Sequence, residues 1–461
     1  MTPEAALAGL WREAGLPEEA LAGIAFHGAD PVLPSSFAVG TAAAVSIAAA
    51  ALAAATLLLR RGGPAGAVEI ALRDAAIEFR SERYLRVNGA PPPDLWDAIA
   101  GLYRTADGWV RLHTNFPHHR DGVLKLLGSV HERAAVARAL AQWSATEFDR
   151  VATDAGLAVA WLRSFAEWDG SPEGRALGEQ PVVAIERLGD GPPVVPAAAS
   201  RPLAGLSVLD LTRVIAGPVA GRTLAAHGAE VLAITAPYLP QMVPLLIDTS
   251  RGKRSASLDL RDAEGRATLA KLVGGADVFV QSYRPGALDR LGFGTEEIMQ
   301  LHPGIICATL SAYGFRGPWA NRRGFDSLVQ TASGFNDAEA AAAGEETPKP
   351  LPAQALDHAS GQLLAFGIMA ALLRRAAEGG SWRVRVSLAR TGLWLRSLGR
   401  VADGFACADP GIEDVADRLD EVESGFGRLS VVRPAARMPA SPLCHDRPAV
   451  PPGTDPARWA E

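Results

Sequence analysis

A chain of 461 residues, 48% hydrophobic and 21% charged, has the composition of a folded protein and is long enough for two or three cores. A net charge of -6 and the lack of a long basic run argue against a nucleic-acid binder, although a few local cations could still hold a small anion. Cys307, Cys407 and Cys444 stand far apart, without metal-ligand spacing, which reads as free thiols in a reducing, cytoplasmic setting and no metal site.

Glu4, Arg12, Glu13, Glu18 and Glu19 near the start argue against a secretory signal. Residues 1–30 read as a helical lead-in, with Thr2 and Pro3 at its start and Gly15 at a stop. Phe37 to Leu59 carries no charge but is mostly alanine and lacks aromatic belts, so it predicts a buried helix and no membrane partner. After the glycines of residues 62–66, Ala67 to Ala75 alternates as a strand does. Tyr103 to Thr114 predicts a hairpin turning at Asp107-Gly108. Asp121 to Gly128 and His131 to Trp143 read as helices, and Ser144 with Glu147 opens another that closes at Gly156. Proline-rich residues 192–202 suggest a linker, with a boundary between residues 195 and 196.

Beyond the linker, strands at Leu206–Leu211, Glu230–Ile234, Asp277–Gln281 and Ile305–Leu310 alternate with helices, the strongest being Ala216–Ala229, Asp262–Val273 and Thr295–Leu301. That alternation predicts an α/β fold: a Rossmann-like open parallel sheet with helices on both faces across 196–400, plus a smaller α/β domain within 1–195. Prolines from Pro434 to Pro456 predict an irregular, poorly packed tail over 401–461. The chain also resembles itself. Leu33 to Gly63 followed by Ala67–Ala75 matches Leu351 to Gly380 followed by Val384–Leu388: an LP opening, an Ala-rich helix, LLRR, a glycine turn and a strand. Thr41 or a neighbouring alanine then falls near the position of Asp357, so only the second copy keeps the acid.

Chemistry can sit in several places. Asp357 stands at the threshold of an apolar helix, where it is either an N-cap or a reactive acid. Leu206 to Ile234 has the layout of a mononucleotide-binding unit, but its loop is Gly217-Pro-Val-Ala-Gly221 and no acid ends its second strand, which argues against a nicotinamide cofactor. Arg251, Lys253, Arg254, Arg284 and Arg290 lie in loops beside strands, placed either to bind phosphates or to face solvent. Gly314 and Gly317, after the strand at 305–310, allow a close backbone approach or make a simple turn. His118 and His119 beside Pro117 read as surface residues, and Trp161 and Trp168 as core or interface anchors.

Together these stretches resemble the class III CoA-transferase family, which includes alpha-methylacyl-CoA racemases and carnitine CoA-transferases. The matching segments are LSVLDLTRVIAGPVAGRTLAAHGAEVLAI, SRGKRSASLDL, VFVQSYRPGALDRLGFG, HPGIICATLSAYGFRGPWANRRGFDSLVQTASG and ALDHASGQLLAFGIMAALLRR, within Leu203 to Leu388. Residues 33–190, with GLYRTADGWVRLHTNFPHH and RSFAEW, resemble the later half of the same family, so the halves of the family fold are reordered. The resemblance implies Asp357 as the catalytic aspartate, forming a covalent aspartyl intermediate as CoA passes from an acyl-CoA to a small carboxylic acid. It places Lys253, Arg254, Arg284 and Arg290 near CoA and Gly314 beside the thioester. It also implies coenzyme A as a substrate, no permanently bound cofactor, and a homodimer.

The chain departs from the family pattern at Ile215, where transferases often carry Gln, at Ser282 before Tyr283, where Asn is usual, and at Ala236, where an Arg is common. Phe325 stands where the racemase branch has a His. Racemisation needs a second base beside Asp357, for which His358 is one candidate. Two alternatives therefore accompany CoA transfer: an acyl-CoA racemase or isomerase, and a catalytically inactive acyl-CoA binding subunit.

Overall fold

The computed structural model describes residues 1–194 and 197–460. Val195 and Pro196 in the linker, and with them the boundary drawn there, lie outside the described residues.

Two long helices form the spine of the molecule. Helix α1 (Val39–Arg60) is Ala-rich and apolar around its whole circumference, so it can only be stable with every face covered. It lies in the core against a later helix of the same kind, described below. Arg61, just past its end, donates to the carbonyls of Ala197, Pro202 and Ala204 at 2.7, 2.8 and 2.7 Å, tying the linker to the core.

The main sheet has seven strands. In chain order they are β1 (Ala184–Arg187), β2 (Ser207–Leu211), β3 (Glu230–Thr235), β4 (Lys253–Ser257), β5 (Val278–Gln281), β6 (Ile306–Ser311) and β7 (Trp382–Ser387). Across the sheet they run β4-β3-β2-β5-β6-β7-β1, parallel except for β1 at the edge. The six parallel strands thus follow the doubly wound order, which reverses direction between β2 and β5 and opens a crevice at their carboxyl ends. The apolar runs VLDL, VFV and ICATL are what strands covered on both faces require.

Three helices matter for the site: α2 (Ala216–Ala226), α3 (Asp326–Ala332) and α4 (Ala355–Glu378). Helix α4 is the partner of α1 in the spine, and it crosses α2 at Gly361. A Cβ there would stand 2.4 Å from the Ala216 carbonyl oxygen and 2.7 Å from Val219 Cβ, so only glycine permits the crossing.

The smaller α/β unit before the linker has three antiparallel strands, Gly101–Arg104, Trp109–Leu112 and Val159–Trp161, the first two forming the hairpin expected at Asp107-Gly108. Its helix Ala145–Asp154 is capped by Ser144, whose hydroxyl accepts from the Glu147 amide at 3.2 Å.

Two expectations need correction. Ala67–Ala75 is a strand only over Val68–Ala71 and then turns directly into the helix Leu72–Glu78, because Leu72, Ala75 and Ala76 recur at helical spacing. The tail is packed and partly regular. Strands Leu419–Ser424 and Gly427–Val432 pair with each other and with Arg86–Val87, burying Leu429 and Val431 against Leu85 and Ile247. The prolines that suggested an irregular tail follow this hairpin.

Candidate active site

Asp357 occupies the first turn of α4, but it does not cap the helix. Gln354, at the N-cap position, makes no side-chain cap either. The cap comes from α3: the Asp326 carboxylate accepts from the amides of Leu356 and Asp357 at 2.8 and 2.9 Å, and also from the Gln330 side-chain amide. With its backbone thus satisfied by another residue, the Asp357 carboxyl is free to face a cavity. It is 7% exposed. Burial, then the charge of Asp326, then that of Glu82, push its pKa well above the usual carboxylate range. Asp326 is itself raised by burial, against the pull of its hydrogen bonds.

Two cavities meet at Asp357, and Val214, Ile215 and Phe325 line both. One, of about 400 Å³, opens toward the carboxyl ends of β2, β5 and β6 and is cationic, with Arg213, Arg284, Arg322 and Arg323 around it beside Tyr283. The other, also about 400 Å³, lies under the N-terminal region and is lined by Glu82, Arg83, Asp94, Trp96, His113 and Asp326. A third, narrower pocket over the ends of β2, β3 and β4 shares Arg213, Val214 and Tyr283 with the cationic cavity and has Asp210, Ala236 and Lys253 in its wall. Val214, common to all three, holds φ at 74°. A β-branched residue there is strained by about 1–3 kcal/mol, and the strain sits at the turn just ahead of α2, in the wall of the cavities that hold Asp357.

The N-terminal region reaches this site through the short helix Ser81–Tyr84. Ser81 donates to Asp248 at 2.7 Å, and Arg222 of α2 donates to the same Asp248 oxygen at 2.8 Å. Glu82 is bonded to His358 at 3.1 Å, and the His358 ring stacks on Phe79, so His358 faces away from both Asp357 cavities. His113 instead lines the inner cavity, its ring stacked on Phe325 with centroids 3.8 Å apart. Neither of its ring nitrogens has a hydrogen-bond partner among the described residues. Burial, with Arg111 nearby, pushes its pKa down to about 3, so the ring is neutral.

The sequence-derived site residues divide. Asp357 and Arg284 line the same cavity. Lys253 lines the neighbouring pocket, but its ammonium is buried and donates to Asp210 and the Pro218 carbonyl, each at 2.8 Å. Arg254 is occupied elsewhere, by Glu230 at 2.7 Å and by the tail through Asp455 and the Arg458 carbonyl. Arg290 is exposed and borders neither Asp357 cavity. Gly314, at φ 90°, packs toward Leu177 and Gln180 rather than into a cavity. The surface reading holds for His118; His119 is buried in the wall of the cationic cavity, and its pKa falls to about 3. Glu82, Arg83, His113, Arg213 and Asp326 went unassigned in the sequence. The signal for the last was its position three residues after the paired arginines of NRRGFD, and none exists for the first three, which lie more than 200 residues from Asp357 in sequence.

The arrangement defines a class of protein: a doubly wound α/β protein whose cationic crevice ends on a buried carboxyl group. Residues 203–403 match the family model for CoA-transferase family III. The chain is 33% identical over 329 residues to the acetyl-coenzyme A transferase nodX of Hypoxylon pulicicidum, covering 65% of this chain and 55% of that one. It is 35% identical over 202 residues to the probable fatty acyl-CoA transferase Rv3272 of Mycobacterium tuberculosis, covering 41% and 51% respectively. The crystal structure of Rv3272 aligns with a TM-score of 0.40 at 35% identity, over 43% of this chain and 57% of that one. The chain thus spans about half the length of these relatives.

Proposed function

We propose that the protein transfers CoA from an acyl-CoA donor to a carboxylic acid through a covalent intermediate on Asp357. One observation carries this reading: the buried Asp357 carboxyl stands where a cationic cavity meets a second one. In this scheme Arg213, Arg284 and Arg323 receive the phosphates of CoA and the inner cavity receives the acyl group, which sets the thioester carbonyl against Asp357. A Rossmann-like crevice at the sheet's reversal point suits that use.

The ionised Asp357 oxygen attacks the thioester carbonyl and CoA leaves as thiolate, giving a mixed anhydride. The thiolate then attacks the Asp357 acyl carbon, releasing the donor acid and leaving an aspartyl-CoA thioester. An acceptor carboxylate attacks that same carbon, expelling the thiolate. The thiolate takes the acceptor's acyl carbon and returns Asp357 as carboxylate. A raised pKa makes this carboxylate more basic, hence a better nucleophile once ionised. Coenzyme A is a substrate here and enters and leaves with its acid. We carry forward as parts of the same proposal a cytoplasmic setting, which suits three free thiols, and a homodimer.

The test is mass spectrometry after incubation with a panel of acyl-CoAs and hydroxylamine. A hydroxylamine-sensitive adduct on the Asp357 peptide supports transfer. Acyl-CoA binding with no adduct for any donor would favour a binding subunit instead.

A second reading, acyl-CoA racemisation, draws on His113. It sets a neutral ring in the cavity that holds Asp357, where His358 does not reach, but a pKa near 3 makes that ring a weak base, which places racemisation behind transfer. Exchange of the substrate α-hydrogen in D2O, lost on His113→Gln, would favour it over transfer.

A further inference from the structure

Among the described residues Arg83 is the one cation lining the inner cavity, and the transfer chemistry above leaves it unused. Most of the other charges around it are committed; Asp94, on the same cavity, accepts from the Trp96 amide at 3.0 Å and faces no cation in an ion pair among the described residues. Glu82 is bonded to His358, Asp326 caps α4, Arg80 pairs with Asp409, and Lys349 pairs with Glu345 at 2.6 Å. Among the described residues no carboxylate forms an ion pair with Arg83, and its guanidinium makes no hydrogen bond. Its side chain is open to the inner cavity and to an adjoining groove of about 620 Å³ beside Pro34, Lys349 and Phe405. Desolvation and then the nearby Arg80 lower its pKa, against the pull of Glu82 and Asp409, so an anion bonded directly to the guanidinium would add to that pull.

Position gives this cation a meaning. The arginines proposed to receive CoA lie in the outer cavity, and Asp357 stands between them and Arg83. A phosphate cradle therefore has no need of Arg83, which faces the end of the acyl group remote from the thioester. Leu95 and Trp96 line the same cavity and offer apolar surface to intervening methylenes.

We propose that Arg83 binds a second carboxylate, so that the acids exchanged at Asp357 are dicarboxylic: one carboxyl takes and loses CoA while the other pairs with the guanidinium. This rests on the transfer reading above. A planar fork of donors matches a carboxylate in two parallel hydrogen bonds, which a lysine cannot reproduce. In a ping-pong exchange the donor acid and the acceptor acid occupy the inner cavity in turn, so Arg83 selects both.

The experiment compares matched thioesters that differ only in the terminal group, succinyl-CoA against butyryl-CoA and glutaryl-CoA against valeryl-CoA. The readout is the rate of the hydroxylamine-trapped adduct on Asp357. The wild-type chain should favour one ω-carboxylate of a pair by roughly 10- to 100-fold, the factor expected of a charged hydrogen-bonded contact. Arg83→Gln should erase that preference while changing the methyl-ended thioesters less than about threefold, and Arg83→Lys should restore part of it. Wild-type labelling that is indifferent to the terminal carboxylate, or an equal fall for both members of a pair in Arg83→Gln, would overturn this proposal and leave CoA transfer standing. No adduct from any thioester would take down the transfer reading and this one with it.

Discussion

Asp326 holds Asp357 by its backbone and opposes it by its charge. The same carboxylate oxygen that accepts the Asp357 amide at 2.9 Å belongs to a group whose negative charge raises the Asp357 pKa. The first copy of the repeat shows the same device without the second acid. There Asp30 accepts from the amides of Gly40 and Thr41 at 3.1 and 2.8 Å at the start of α1. Ala38 and Gln354, the two N-cap residues, adopt nearly the same backbone angles, φ -76° and -75° with ψ 61° in both. Thr41 is thus the structural counterpart of Asp357, and the strand-to-helix turn after each spine helix, at Leu72 and at Leu388, repeats as well.

Replacing Asp357, the proposed nucleophile, should trade activity for stability. Asp357→Asn is expected to lower turnover by at least about a thousandfold. Because the folded pKa lies above the unfolded value of 3.8, the native state loses stability as pH rises through that interval, and the full penalty applies above the folded pKa. The neutral amide escapes it. Thermal melts should therefore show the variant gaining on wild type more at pH 8 than at pH 4, and an equal gain at both would refute the assigned burden.

Asp326 should act on the pH profile through its charge and on folding through its cap. Asp326→Asn removes the charge beside Asp357, so the acid limb of adduct formation should move to lower pH. Asp326→Ala also removes the acceptor for two helix amides and should cost about 1 kcal/mol of stability. An acid limb that stays in place in Asp326→Asn would show that the Asp326 charge does not set the Asp357 pKa, leaving burial and Glu82.

What the sequence revealed and what it hid divide along a physical line. The parallel strands were legible because strands covered on both faces need continuous apolar runs, as in VFV and ICATL. The place of Asp357 was legible because an acid opening an apolar helix marks the start of that helix, which the structure has at Ala355. The inner cavity was not. Glu82, Arg83 and His113 reach Asp357 only after the N-terminal region folds across more than 200 residues of chain, and no local pattern encodes that. Arg254 misled because a basic loop beside a strand looks the same whether it faces a phosphate or, as here, the carboxylates of Glu230 and Asp455. The tail misled because its prolines outweighed the alternating hairpin LDEVESGFGRLSVV ahead of them.

The crossing of α2 and α4 tests how tightly the site is held. Gly361→Ala places a methyl group 2.4 Å from the Ala216 carbonyl oxygen, and both helices carry site residues at their starts. The overpacking should cost about 1–3 kcal/mol. Denaturant unfolding should show the loss, and adduct formation should slow with it, since α2 begins directly after Val214 and Ile215. Unchanged stability would mean that the helices can separate freely at this point.

Thr41→Asp asks whether the first copy could have kept an acid. The Thr41 hydroxyl and amide both donate to Asp30, at 2.7 and 2.8 Å, and the side chain is buried. The substitution removes the hydroxyl donor and sets a second carboxylate against Asp30, with neither Asp357 cavity reaching position 41 to solvate it. Its pKa should rise in the folded chain, so the native state is penalised increasingly as pH climbs through that raised value. The expected loss is about 2 kcal/mol near neutral pH and smaller in acid, where the new group keeps its proton. Urea unfolding at pH 5 and pH 8 reads the difference. Equal losses would point to lost packing at Thr41 in place of charge, and an acyl adduct on the substituted residue would mean that the first copy retains a working site.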